Sequence, residues 1–271
     1  MNKKIKSFIN NCSLLIICFL FLLPYIVMII ATFSTSSAIK GNNIFNNLSL
    51  SNFIVNATAL FNERFFLSSI LNSSFISFFA GLISVIVASM AGYAYTLYKN
   101  KTMDRLFLYS FIAMMIPGII TIIPIFLIFV TVGLIDTYFA VIISTISLPF
   151  NIFLFKQNTR LMPVELIKAA RIDGLSEINI FFKVYLPCMK SVFITSFLLS
   201  FLSAWNTLLL PLVLLQSQRK FTNLIFLNSL GSVWTSDYAV LMLAIFLSTL
   251  PVIIMFLFFQ KYIKNTIKGI N

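Results

Sequence analysis

Long apolar runs, broken only where charges gather, set the character of this chain. No charged residue lies between Lys6 and Lys40, Arg64 and Lys99, Arg105 and Asp136, Asp136 and Lys156, Lys190 and Arg219, or Asp237 and Lys261. Each gap holds the roughly 20 residues a helix needs to cross the hydrocarbon core of a bilayer. The runs are continuous rather than alternating with period two, which argues against a β-barrel. Lipid offers no partner for backbone N–H and C=O groups, so helices remain. The pattern predicts an all-α, polytopic membrane protein with six transmembrane helices, organised as one domain over residues 1–271 with a core at about 65–262.

Between the fourth and fifth runs, from about Gln157 to Pro187, the pattern changes to two short amphipathic segments around a glycine. Pro163 suits the first turn of the first segment, and Ile167, Ala170 and Ile172 give it an apolar face beside Glu165, Lys168 and Arg171. Gly174 reads as a left-handed helix stop and Ser176 as the cap of the next segment, which carries Phe181 and Phe182 and ends at Pro187. This predicts a compact knob held off the bilayer, with Ala169 and Ala170 small enough to admit a partner. Spacing alone allows a second reading, an amphipathic segment lying on anionic lipid.

Within the second run, Gly81, Ser84, Ala88 and Gly92 fall on one stripe, which predicts close helix packing. Pro24, Pro117, Pro124, Pro211 and Pro251 lie inside runs and predict kinks. The first run, Leu14 to Ala31, has a basic start like a signal peptide, and Ser36-Ser37-Ala38 mimics a cleavage site, but the run is longer than a usual signal core. Its length predicts an uncleaved helix. The Asn-rich stretch from Gly41 to Asn62 is expected on the outer face.

Composition narrows the classes. At 60% hydrophobic and 10% charged residues, too little polar surface exists to cover a soluble core. The chain has no histidine and its seven carboxylates are scattered, so catalysis and metal binding by this chain are not expected. The net charge of +12 follows the loops rather than forming an aromatic-interleaved groove, so it reads as topology and not as a nucleic-acid surface. With the amino terminus inside, Lys3, Lys4, Lys6, Lys99, Lys101, Arg105, Lys156, Arg160, Lys168, Arg171, Lys183, Lys190, Lys261, Lys264 and Lys268 are cytoplasmic. Lys40, Arg64, Arg219 and Lys220 are then outside. That bias predicts both termini in the cytoplasm. Cys12, Cys18 and Cys188 read as small buried hydrophobes. No carboxylate sits mid-span, which disfavours an ion-coupled carrier.

The loop resembles the cytoplasmic "EAA" loop of ATP-binding-cassette importer permeases, through Ala169, Ala170, Asp173, Gly174, Phe182, Leu186 and Pro187. Two positions depart from the family pattern: Lys168 replaces the usual glutamate, and Leu175 replaces a small residue after Asp-Gly. Ser203-Ala204-Trp205-Asn206 with Pro211-Leu212, Leu250-Pro251-Val252-Ile253, Gln260-Lys261-Tyr262 with Lys268-Gly269, and Phe65 to Tyr98 are similar to the carbohydrate-uptake branch, in particular to the six-span subunit of maltose-type permeases. The resemblance implies a non-enzymatic subunit in the cell membrane that imports a sugar, with no cofactor of its own. It implies a homologous second permease, two cytoplasmic ATPase subunits that bind ATP, and an external solute-binding protein. The loop residues Glu165, Lys168, Ala169, Ala170, Asp173, Gly174, Phe182 and Pro187 would couple to the ATPase, with Glu165 a candidate for the missing carboxylate. Asn72, Trp205 and Asn206 are candidates for the translocation path, against a reading as helix-to-helix hydrogen bonds and an interfacial aromatic anchor. The same architecture serving another solute, such as glycerol phosphate, is the nearest alternative.

Overall fold

The computed structural model describes residues 3–41, 43–45, 47–98, 100–231 and 237–268. Lys99 and Gly269 lie outside the described residues, as do the side chains of Lys3, Lys4, Lys6, Lys264 and Lys268. Every regular element described is helical: α1 (Lys3–Thr32), α2 (Ser36–Lys40), α3 (Leu50–Asn62), α4 (Phe66–Leu97), α5 (Lys101–Ala113), α6 (Gly118–Thr131), α7 (Tyr138–Ser144) and α8 (Leu148–Thr159). Then come α9 (Val164–Ile172), α10 (Glu177–Ile180), a π-helical turn at Phe181–Tyr185, α11 (Leu186–Cys188), α12 (Lys190–Trp205), α13 (Leu209–Leu214), α14 (Asn223–Leu230) and α15 (Tyr238–Lys268).

By length and composition, Asn10–Thr32, Phe66–Leu97 and Tyr238–Tyr262 can each cross a bilayer unaided. Two of the other predicted spans are bent pairs, α5 with α6 at 101° and α7 with α8 at 48°, and the third bent pair joins Glu177–Cys188, the second half of the predicted loop, to α12 at 83°. Counting each pair as one span gives up to six. Pro117 stands at the sharpest break, as the extended N-cap of α6, because proline drives the preceding residue out of helical geometry. Pro24, Pro124 and Pro251 instead lie within continuous helices. The fifth predicted run is itself interrupted. The sixteen residues of α12 reach only about 24 Å at 1.5 Å per residue, and α13 begins after a break at Asn206–Leu208.

The chain divides into two compact units, Met1–Leu67 with Phe226–Leu250, and Ser68–Ile225 with Pro251–Asn271. In the first, the Asn-rich stretch ties off the end of α1, whose last carbonyls have no intrahelical partner. Asn56 Nδ2 donates to Thr32 O at 2.9 Å and Ser34 O at 3.1 Å, and Asn52 Nδ2 reaches Phe33 O at 3.3 Å. Ser36 Oγ donates to Asp237 Oδ1 and accepts Ala239 N–H at 3.0 Å.

In the second unit, the small-residue stripe of α4 packs as expected. A Cβ on Gly92 would stand 2.5 Å from Phe155 Cβ and 3.0 Å from Lys156 N of α8, and one on Gly81 would stand 3.2 Å from Phe197 of α12. Between these contacts lies a buried polar knot. Asn151 Nδ2 donates to Ser84 Oγ at 2.7 Å and Ser200 Oγ at 2.6 Å, while Ser196 Oγ donates to Asn151 Oδ1 at 2.8 Å. Asn151, Ser84 and Ser196 are fully buried, so one amide holds three helices and leaves little polar capacity unmet. The cysteine expectation is corrected: Cys18 and Cys188 are exposed and Cys12 is half-buried, all as free thiols. Most of the first span has no protein against it, with only 11% of its apolar window buried, so its apolar side chains face outward whatever their size.

Gly92→Ala should lower unfolding stability in detergent by about 1–3 kcal/mol through overpacking. Gly118→Ala, where an added Cβ meets nothing within 4 Å, should leave the unfolding midpoint nearly unchanged. Equal midpoints for the two variants would remove the close approach of α4 to α8.

Candidate functional site

The loop after α8 grows from the same contact. Thr159 closes α8 by hydrogen-bonding Phe155 O at 2.7 Å and shares a 2.7 Å hydroxyl contact with Tyr185. Pro163 then stands as the extended N-cap of α9, one position before the first helical turn. Three hydrogen bonds end α9: Asp173 N to Ala169 O at 2.9 Å, Gly174 N to Arg171 O at 3.1 Å and Leu175 N to Ala170 O at 3.1 Å. With Gly174 at φ +77°, the last two form a Schellman motif. Its companion apolar contact is supplied by Leu175, packed on the buried core of the loop. Leu175 therefore has a structural role at the position where the resemblance expected a small residue. Ser176 caps α10 by accepting Asn179 N–H.

The next segment differs from the expected plain helix. At Phe181–Tyr185 the ladder widens to a π turn, with Leu186 N–H reaching Phe181 O. Pro187 follows directly and cannot donate to the carbonyl four residues back, and the widened turn relieves that clash. The helix continues through Pro187 to Cys188 rather than ending at the proline.

Residue by residue, the loop has three faces. Ile167, Ala170, Ile180, Phe181 and Tyr185 are buried in its own core with Tyr93. Two expectations are corrected here. Ala170 faces inward and is not open to a partner, and Ile172 is 86% exposed. At 3.6 residues per turn, Ile172 lies about 140° around the helix from Ile167, whereas Arg171 lies about 40° away. A second face presents Leu166, Ala169, Ile172 and Asp173 outward, and Ile178 and Phe182 are exposed on the following segment at 71% and 58%. Pro187 is also exposed. The third face, with Glu165 and Lys168, lines a cavity of about 800 Å³ beside the ends of α4 and α8.

Glu177, absent from the sequence candidates, joins the loop to α4. Its Oε1 accepts Arg171 Nε–H at 2.6 Å and its Oε2 accepts the Tyr93 hydroxyl at 2.7 Å. Arg171 also stands 5.7 Å from the Tyr98 ring centroid. The available signal was an acidic residue at the start of a capped helix, six positions after an arginine across a glycine turn. Nothing in the local pattern pointed to Tyr93.

The path candidates lie apart from the loop. Asn72 is engaged: Nδ2 donates to Arg219 O at 2.9 Å and Phe221 O at 3.0 Å, and Oδ1 accepts the Tyr138 hydroxyl at 2.9 Å. Trp205 is buried and stacked on Phe201 at 5.7 Å. Asn206 is exposed at the C-cap of α12. Near Asn72, Asp136 has φ +59° and gathers the segment after α13. It accepts Gln216 N–H at 3.0 Å, Ser217 N–H at 3.1 Å, Ser217 Oγ–H at 2.5 Å and Lys220 Nζ–H at 2.9 Å. Partial desolvation pushes its pKa up. The hydrogen bonds from Ser217 and Lys220 and from the two backbone N–H groups outweigh it and hold the carboxyl well below the usual range.

Residues 81–269 match the family described as the inner membrane component of binding-protein-dependent transport systems. The chain belongs to that family. Members similar to it include the lactose transport system permease protein LacG of Rhizobium radiobacter, 30% identical over 99% of this chain and 97% of its own length. Another is the arabinooligosaccharides transport system permease protein AraQ of Halalkalibacterium halodurans, 34% identical over 95% of this chain and 93% of its own length. Among solved structures, a chain of a bacterial ABC transporter involved in import of the acidic polysaccharide alginate superposes with a TM-score of 0.80. It covers 97% of this chain and 99% of that one at 24% identity, a likeness of fold. An all-helical membrane permease is what sequence, coordinates and relatives agree on.

Two measurements check this geometry. Gly174→Ala adds a Cβ that meets nothing within 4 Å, so its cost is the left-handed backbone alone, about 1–2 kcal/mol. Gly174→Asn should cost less in the same thermal unfolding assay. For Asp136 the folded pKa is depressed, so its contribution is complete above the ordinary value of 3.8 and is lost as pH falls below it. Stability of the wild type should therefore fall more steeply below that pH than stability of Asp136→Asn. Parallel curves would remove the ion pair from the fold's support.

Proposed function

We propose that this permease carries a sugar or oligosaccharide across the cell membrane as one of two homologous membrane subunits, driven by two cytoplasmic ATPases and fed by an external binding protein. The observation that carries the reading is the family match over a chain whose loop after α8 is built as a rigid, outward-facing knob. Sugar specificity is supported by relatives named for lactose and arabino-oligosaccharide transport. The whole chain, residues 1–271, acts as one permease domain, with a core at about 65–262 and a coupling loop at about 157–187. Both termini are cytoplasmic, and ATP is bound and hydrolysed on the partner chains.

In this reading the ATPase grips Leu166, Ala169, Ile172, Asp173, Ile178 and Phe182, the exposed face of the knob. Gly174 keeps α9 and α10 in fixed register, and the Glu177–Tyr93 link passes knob rotation directly to α4. Glu165 and Lys168 border the docking face. Asn206, exposed at the end of α12, is the candidate that borders the path, while the engaged Asn72 and buried Trp205 hold the helices around it.

Reporter fusions after Asn56 and after Ser229 should report outside, and those after Lys101 and Ser176 inside. A cytoplasmic signal at Asn56 overturns the thread. In proteoliposomes with the ATPases and binding protein, Gly174→Val should keep the subunit inserted but separate ATP hydrolysis from oligosaccharide uptake. Ile172→Asp should reduce ATPase co-purification more than Lys168→Ala or Glu165→Ala. The reverse order would return docking to the charged residues.

A further inference from the structure

The cavity beside α9 contains a charge that the coupling role leaves unused. Lys156, on the last turns of α8, is only 5% exposed. Its ammonium stands 3.4 Å from the centroid of the Phe107 ring. The ion pairs among the described residues are Arg171–Glu177 and Lys220–Asp136, so no carboxylate there stands within ion-pair distance of Lys156, and Asp104 attracts it only from across the cavity. The side chain is packed into the helix ends while its ammonium meets the cavity, and a ring face satisfies only one side of that ammonium.

The remaining side opens on a cavity of about 800 Å³ whose charged walls are Lys156, Arg160, Lys168, Arg171, Asp104 and Glu165. Arg171 is committed to Glu177. Arg160 follows Lys156 at i+4, where like charges repel. Helix α8 favours cations at its C-terminal end, which accounts for exposed Arg160 but not for burying Lys156. The rest of the wall includes Tyr95 and Leu97, at the end of the α4 span. The cavity therefore sets Lys156, Arg160 and Lys168 against the carboxylates Asp104 and Glu165, with Leu97 and Tyr95 in its wall at the end of a membrane span. Basic pockets between transmembrane helices at the cytoplasmic face suit acidic lipid headgroups.

We propose that this cavity binds a phosphate-bearing anion, the headgroup of an acidic phospholipid, with Lys156 beneath the phosphate and Arg160 and Lys168 at its rim. An occupant here touches both α8 and α9, so the lipid fixes the stem of the knob. The inference rests on the membrane reading and not on the identity of the transported solute.

The test uses the full chain purified from nanodiscs of phosphatidylcholine with and without phosphatidylglycerol, with retained lipid counted by native mass spectrometry. Lys156→Met keeps an unbranched chain over Phe107, Arg160→Gln with Lys168→Gln alters only exposed positions, and Lys183→Gln serves as a control away from the cavity. Wild type and Lys183→Gln should retain phosphatidylglycerol, and each removed cation should weaken retention about fivefold. Retention unaffected by inorganic phosphate identifies the lipid as the source. Competition by inorganic phosphate that is lost in Lys156→Met identifies free phosphate at the same site and keeps the shared chemistry. Equal retention in wild type and both cavity variants, with unchanged unfolding midpoints, overturns the proposal. So does failure of the wild type to hold either anion, the result expected if the cavity receives an acidic side chain of a partner protein.

Discussion

The larger unit depends on how closely α4 can approach α8. At Gly92 the two backbones meet at a distance that no Cβ permits. One helical turn in either direction would bring a side chain into that gap and push the ends of both helices apart. Because α8 leads straight into the loop, this contact sets where the knob stands relative to α4. The Asn151 amide secures the same arrangement from within, joining α4, α8 and α12 through Ser84, Ser196 and Ser200. In lipid such a bond is worth on the order of 1 kcal/mol, so its value lies as much in fixing register as in strength.

The knob inherits rigidity from that base. Its floor is made of Ile167, Ala170, Ile180 and Tyr185 packed around Tyr93, and its one carboxylate bridge, Glu177, faces α4 and Arg171 together. The loop is thereby tied to α4 through Glu177 and Tyr93 and to α8 through Tyr185 and Thr159. The exposed face of the knob is mainly apolar, formed by Leu166, Ile172 and Phe182.

The π turn and the Asp136 cluster show two parts of the chain solving one problem differently. Where Pro187 removes a donor, the ladder widens and the backbone supplies its own partners. Where α13 ends, Asp136 collects donors from an irregular segment. Both keep backbone N–H groups satisfied at points where regular helix fails, as burial or proximity to lipid requires.

The helical class, a count of up to six candidate spans, the small stripe on α4 and the glycine stop at Gly174 were legible in the sequence. Each follows from a local rule: run length against bilayer thickness, helical spacing, and the left-handed residue that a Schellman motif needs. The family motifs likewise identified the loop before its shape was known. What only the tertiary structure decided were contacts between segments distant in the chain. Of the apolar face expected on α9, Ile167 and Ala170 turn inward while Ile172, about 140° around the helix from Ile167, is left exposed. The Asn151 amide finds Ser84, Ser196 and Ser200 only through the packing of α4, α8 and α12. Lys156 read as a cytoplasmic residue, and the fold set its ammonium over Phe107. Periodicity fixes what a residue can do along its own helix, whereas a hydrogen bond or a cavity depends on neighbours that the local pattern does not name.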